Sequence, residues 1–203
     1  MTWNDSDMSP IGADGGIPRI RNRFIDLCSF QPWEVVKRSF DENGVYLPDA
    51  SMGPWADDLD FMDSYEWMSE CMDSHGIANE SGTDGIVWAW AKFTDGHGNG
   101  TLGPPVGSNE FDYESNDLLY LRMGIDRVLL SDFDAWHIVL NNCSERRYGG
   151  GPPYIPDNGL ESLVLIDPLD SNRMHSIPFI QAAFRCITPG DVVDVIKKDG
   201  HSI

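Results

Sequence analysis

The chain has 203 residues, room for one sizeable hydrophobic core but short for two. Lys and Arg number 14 against 33 Asp and Glu, a formal net charge of −19, which disfavours long-range attraction to nucleic acid or an anionic membrane surface. A composition 41% hydrophobic and 11% aromatic excludes a disordered chain. No apolar run reaches the ~20 residues that cross a bilayer.

Residues 1–18 are polar, punctuated by Gly and Pro, and without the basic and apolar segments of a secretory signal. They are read as a flexible leader before one globular domain, 19–198, and a short tail, 199–203, with the cytoplasm as the expected location. Phe24–Gln31 (FIDLCSFQ) reads as a strand. Pro32 suits a first helical turn, Trp33, Val36 and Phe40 share one face of the helix that follows, and Gly44 ends it. A second helix is expected over 59–74, where Phe61, Tyr65, Met68 and Met72 keep the helical period and Trp67 and Cys71 widen the stripe.

Ile86–Phe93 (IVWAWAKF) has strand composition, with Trp88 and Trp90 on one face. Residues 94–110 read as loop. The start DGHGNG resembles a calcium loop, but Val106 stands where a bidentate Glu belongs, so calcium is excluded. Leu118–Met123 and Val128–Leu130 are one strand or two short ones. Ser131 and Asp134 form an S-x-x-D capping box ahead of a helix carrying Phe133, Trp136, His137 and Leu140 on one face. After a loop over 148–159, strands are expected at Leu163–Ile166, Phe179–Ile187 and Val192–Ile196, with a Thr188-capped turn before the last. The four cysteines, Cys28, Cys71, Cys143 and Cys186, are far apart and form no metal-ligand pairs, so they read as reduced thiols with no metal site. No phosphate-binding glycine motif, no repeat and no βαβ alternation is present. The expected fold class is α+β, a single domain with a mixed, mostly antiparallel sheet and about three helices.

The segments LCSFQ (27–31), YEWM (65–68), IVWAW (86–90), VLLSDFDAWHIVLN (128–141), IQAAF (180–184) and DVVDV (191–195) run in order through nearly the whole chain. Together they resemble one bacterial domain-of-unknown-function family. The chain departs from it at the first strand, where Cys28 and Ser29 take the places of a Trp and a Thr, and in the loop 94–116. The order strand, helix, late strand bearing Gln, capped turn and last strand is also similar to small ADP-ribosyltransferase-type folds. That similarity implies NAD as cofactor, held by the first-strand polar residues Ser29 and Gln31, with Gln181 near the ribose. Trp88 and Trp90 would stack on the nicotinamide, and carboxylates would favour the oxocarbenium-like transition state.

Asp134 and His137, three apart on a helix, are spaced to pair as general acid and base. Against that, Asp134 and Asp132 suit the helix start and His137 suits the core. The expected site is therefore catalytic Gln181, His137 and Asp134, with Ser29, Gln31, Trp88 and Trp90 binding NAD for ADP-ribosyl transfer. The alternative is a non-catalytic acidic binding or inhibitor protein acting on a basic or nucleic-acid-binding partner. Expected partners are a small nucleotide or a protein, with no direct contact to nucleic acid or membrane. The two readings differ in geometry: an enzyme should gather Gln31, Gln181 and His137 or the tryptophans in one site.

Overall fold

The computed structural model describes residues 20–48, 62–77, 79, 82, 85–94, 97–104, 116–148 and 158–198. The expected leader and tail lie outside them. A two-residue strand, β1 (Ile20–Arg21), turns through Asn22 and Arg23 into β2 (Phe24–Gln31). Both turn residues have positive φ, 50° and 69°, the backbone of a tight two-residue hairpin.

Helix α1 (Trp33–Asn43) follows and ends at Gly44, whose φ of 73° lets its N–H reach the Phe40 carbonyl. Its first turn takes its cap from far along the chain: Asp117 Oδ2 accepts from the Trp33 N–H at 3.1 Å. Next come α2 (Met62–Ser74), β3 (Val87–Thr94), β4 (Gly100–Thr101), β5 (Asp117–Gly124) and β6 (Leu129–Asp132). The rest is α3 (Phe133–Tyr148), α4 (Asn158–Val164), β7 (Leu165–Ile166), α5 (Ser171–Ser176), β8 (Ile180–Phe184) and β9 (Val192–Ile196).

The strands form one sheet in the order β7-β6-β8-β3-β2-β5-β9, with β1 added to β2 and β4 to β3. Every pairing among the described strands is antiparallel. The α+β class and the mostly antiparallel sheet are as the sequence predicts, and two short helices, α4 and α5, join the three long ones.

Alternation sorts the side chains into two layers. The back face presents Ile25, Leu27, Leu121 and Phe184 to Val36 of α1 and Met174 of α5. The front face presents Leu129 and Ala183 to α2, α3 and α4 through Met68, Trp136 and Val164. Farther across the front, Cys28, Trp90 and Leu118 pack with Leu102. Arg185 fixes α2 to the sheet: Nη1 donates to Ser69 Oγ at 2.8 Å, and Nη2 to the Ser69 carbonyl and Asp73 Oδ1 at 3.0 and 2.8 Å.

Several boundaries differ from expectation. Residues 158–164 are helical, so only Leu165–Ile166 is strand there. The stretch expected as loop holds β4, paired with Phe93 and Thr94. The late strand stops at Phe184, and Ile187 instead bridges Tyr46. The second helix is described from Met62, and residues 59–61 lie outside the described set. Among the described residues no helix is long and apolar enough to cross a membrane.

Candidate functional site

β8 lies between β6 and β3, and register sets Gln181 opposite Ser131 on one side and Trp90 on the other. Directly opposite residues share a face, so all three point to the front. One step along, Leu129, Ala183 and Trp88 form the next front row. Within these two rows three buried polar atoms have no hydrogen-bond partner among the described residues: Ser131 Oγ, Gln181 Oε1 and Trp88 Nε1. Ser131 is completely buried, while Gln181 and Trp88 are half-buried. An unpaired buried polar group costs ~1–3 kcal/mol, so three on one patch of sheet are a feature of the fold that its own packing does not explain.

Aromatic rings wall this patch on two sides. Trp136 of α3 lies 5.4 Å from Trp88 and stacks on Trp67 of α2 at 6.1 Å, while Tyr65 meets Trp88 edge-on at 5.9 Å. Burial raises the Tyr65 phenol above its ordinary pKa. On the other side Phe133 approaches Trp90 at 5.0 Å and His137 at 4.2 Å. The first turn of α3 thus sets Phe133 and Trp136 over the sheet, with His137 edge-on against Phe133.

The start of α3 corrects the expected capping box. Asp132 Oδ1 accepts from the N–H groups of Asp134 and Ala135 at 3.0 and 3.3 Å, so Asp132 is the cap. Ser131 points into the front layer and caps nothing, because it is the last sheet residue with a cross-strand partner on that face. Asp134 is exposed, and His137 directs Nδ1 to the Phe133 carbonyl at 2.9 Å. No Asp134–His137 pair forms among the described residues, which removes that acid–base pair. With Nδ1 donating to the carbonyl, Nε2 is the nitrogen left to accept a proton.

Ser29 and Gln31 lie on the opposite face. β2 pairs Cys28 with Trp90, which puts Cys28 in front and the odd-numbered residues of β2 behind, with Ile25 and Leu27. The Ser29 hydroxyl donates to the Trp88 carbonyl at 2.7 Å, Gln31 Nε2 donates to Ser29 Oγ at 3.1 Å, and the Tyr46 hydroxyl donates to Gln31 Oε1 at 3.2 Å. These bonds occupy both ends of the Gln31 amide and hold β2 to β3 where the ladder is sparse. The single pocket expected from Ser29, Gln31, Trp88, Trp90, His137 and Gln181 therefore does not form: the sheet separates the first two from the rest.

Ser131, Tyr65 and Trp136 belong to the front cluster, yet sequence reasoning assigned them to capping and packing. The signal for Ser131 was available in the alternation of LLSD, which puts a hydroxyl on the face of Leu129. Fold and site together define an α+β protein whose helix-covered sheet face holds an unsatisfied polar cluster between aromatic walls. No protein-family model, no curated protein and no solved structure matches the chain.

Proposed function

We propose that the front cluster is a small-molecule site of the nucleotide type, taking a flat heterocyclic ring, the nicotinamide of NAD among the candidates. The observation that carries this reading is the trio of buried, unpartnered atoms on Ser131, Gln181 and Trp88. A ring lying in the sheet-facing layer gives all three a partner and gains stacking or edge contacts with Trp88, Trp136 and Phe133. If the bound ligand is NAD and the chemistry is ADP-ribosyl transfer, Gln181 and His137 are the groups on this face to orient the ribose and take a proton. Ser29 and Gln31 take no part in it. Asp134, exposed and unpaired with His137, has no place in it either.

The test is thermal melting of the purified chain with NAD, ADP-ribose, ATP and nicotinamide. Ligand at a hundredfold excess over Kd stabilises by about 2.7 kcal/mol, which raises the midpoint of a chain this size by roughly 5–10 °C. Gln181→Leu and Trp88→Phe should both abolish the shift. Gln181→Leu should not lower the midpoint of the free protein, whereas Trp88→Phe trims a ring packed on Trp136 and Tyr65 and should lower it by a few degrees. If no compound moves the midpoint, the site reading fails, and a search for a basic protein partner becomes the better course. Release of nicotinamide from NAD, followed chromatographically, separates an enzyme from a binding protein.

A further inference from the structure

The three unpartnered atoms have a definite hydrogen-bonding character. Trp88 Nε1 only donates, Gln181 Oε1 only accepts, and the Ser131 hydroxyl does either. A ligand satisfies this set with an acceptor beside a donor on one edge, as in a carboxamide, a lactam or the pairing edge of a nucleobase.

The surroundings are equally definite about charge. Lys92 follows Trp90 on β3, but the bulge between them turns Lys92 through to the back face, where Nζ donates to the Met174 and His175 carbonyls at 3.1 and 2.9 Å. Arg185, just past the end of β8, donates from Nη1 and Nη2 to Ser69 and Asp73 of α2. Arg122 of β5, two strands from β3, is paired with Asp26 of β2 at 2.6 Å. Lys92 and Arg122 therefore do not reach the cluster. Among the described residues Arg185 is the one cation beside it on the front face; it spends both Nη groups on α2 and leaves only Nε buried without a partner. The N-terminus of α3, the natural cradle for a phosphate beside the cluster, is already filled by the Asp132 carboxylate on the amides of 134 and 135. The chain as a whole carries −19.

Resting on the site reading above, we propose that this site selects an uncharged planar ring with a donor–acceptor edge, a free base, nucleoside or aromatic carboxamide, and gains nothing from a phosphate. Binding energy then comes from ring contacts and from the hydrogen bonds to Ser131, Gln181 and Trp88. A phosphate on the ligand stays outside, in the negative field of the protein.

Calorimetry of the full chain tests this, with nicotinamide, adenosine, guanosine and uridine set against NAD, ATP, GTP and UMP, each at low and high salt. The expected result is that an uncharged probe binds, that its phosphorylated form binds no tighter, and that salt leaves the uncharged probe's affinity unchanged. Ser131→Ala, Gln181→Leu and Trp88→Phe should each weaken that probe by about tenfold. Circular dichroism of each variant confirms that it is folded. Phosphorylated ligands binding about tenfold tighter than their nucleosides, and weakening with salt, would overturn the proposal and leave the site reading standing. Failure of every probe, charged and uncharged, overturns both.

Discussion

Ser131 and Gln181 face each other on adjacent antiparallel strands, on the same side of the sheet, yet Ser131 Oγ and Gln181 Oε1 both lack a hydrogen-bond partner among the described residues. Neighbouring strands place such a pair within side-chain reach, and an apolar pair of similar volume would fit the same slot. The sheet thus carries a polar cost at the one place where α3 begins and the tryptophans of α3 and β3 meet.

That cost is measurable. Ser131→Ala removes a buried hydroxyl that has nothing to bond, so the free protein should gain about 1 kcal/mol, roughly 2–4 °C in its melting midpoint. Gln181→Leu should move the same way. A loss of stability in both variants would show that the two groups are satisfied in solution, and the site would lose its main support.

Asp132 and Asp134 offer a second separation. Asp132 accepts from two amides at the start of α3, whereas Asp134 is exposed on the outer side of the first turn. Asp132→Ala should cost about 1 kcal/mol in urea unfolding and Asp134→Ala under about 0.5 kcal/mol. The reverse order would restore the S-x-x-D capping box expected from the sequence.

The elements legible in the sequence are those whose signal is local. Trp33, Val36, Phe40 and Gly44 mark α1 by spacing and by its left-handed stop, and FIDLCSFQ bounds β2 at the residues observed. Helices α4 and α5, of 7 and 6 residues, escaped because NGLESLV and SNRMHS are too short to show an apolar stripe. The site was half legible. Trp88, Trp90, Gln181 and His137 were named from composition and position, and they share the front layer. That Ser29 and Gln31 lie behind it depends on the register of β2 against β3, and no local pattern in LCSFQ encodes which neighbour a strand will take.

Arg185 and Asp73 bear on how α2 is held over the site. The Arg185 side chain is 4% exposed and that of Asp73 is 59% exposed, so the ion pair itself lies in water at one end. Its screened attraction contributes little, and Asp73→Ala should cost under about 1 kcal/mol. Arg185→Ala also deletes the bonds to Ser69 and opens a hole under α2, so about 2–4 kcal/mol should be lost. Equal losses in the two variants would move the anchor from Ser69 to the carboxylate.

The buried thiols give a pH dependence with a definite sign. Cys71 is pushed from the ordinary 9.0 up to about 12, chiefly by burial and then by Glu161 and Glu70. Burial raises Cys28 further still, and its S–H donates to the Leu102 carbonyl at 3.3 Å. Both folded values lie above the unfolded ones, so the fold favours the protonated thiols. Their contribution is complete below pH 9.0 and is lost as the pH rises from there towards about 12. Urea midpoints should therefore hold from neutral pH to about 9 and then fall, by up to about 1.4 kcal/mol per pH unit for each thiol. Cys71→Ala should flatten part of that fall. Among the three described thiols, iodoacetamide under mildly alkaline conditions should label half-buried Cys186 before Cys28 and Cys71, which react only as the protein unfolds. Rapid modification of Cys28 in the folded protein would mean that Leu102 and Gly103 do not stay packed over its sulfur.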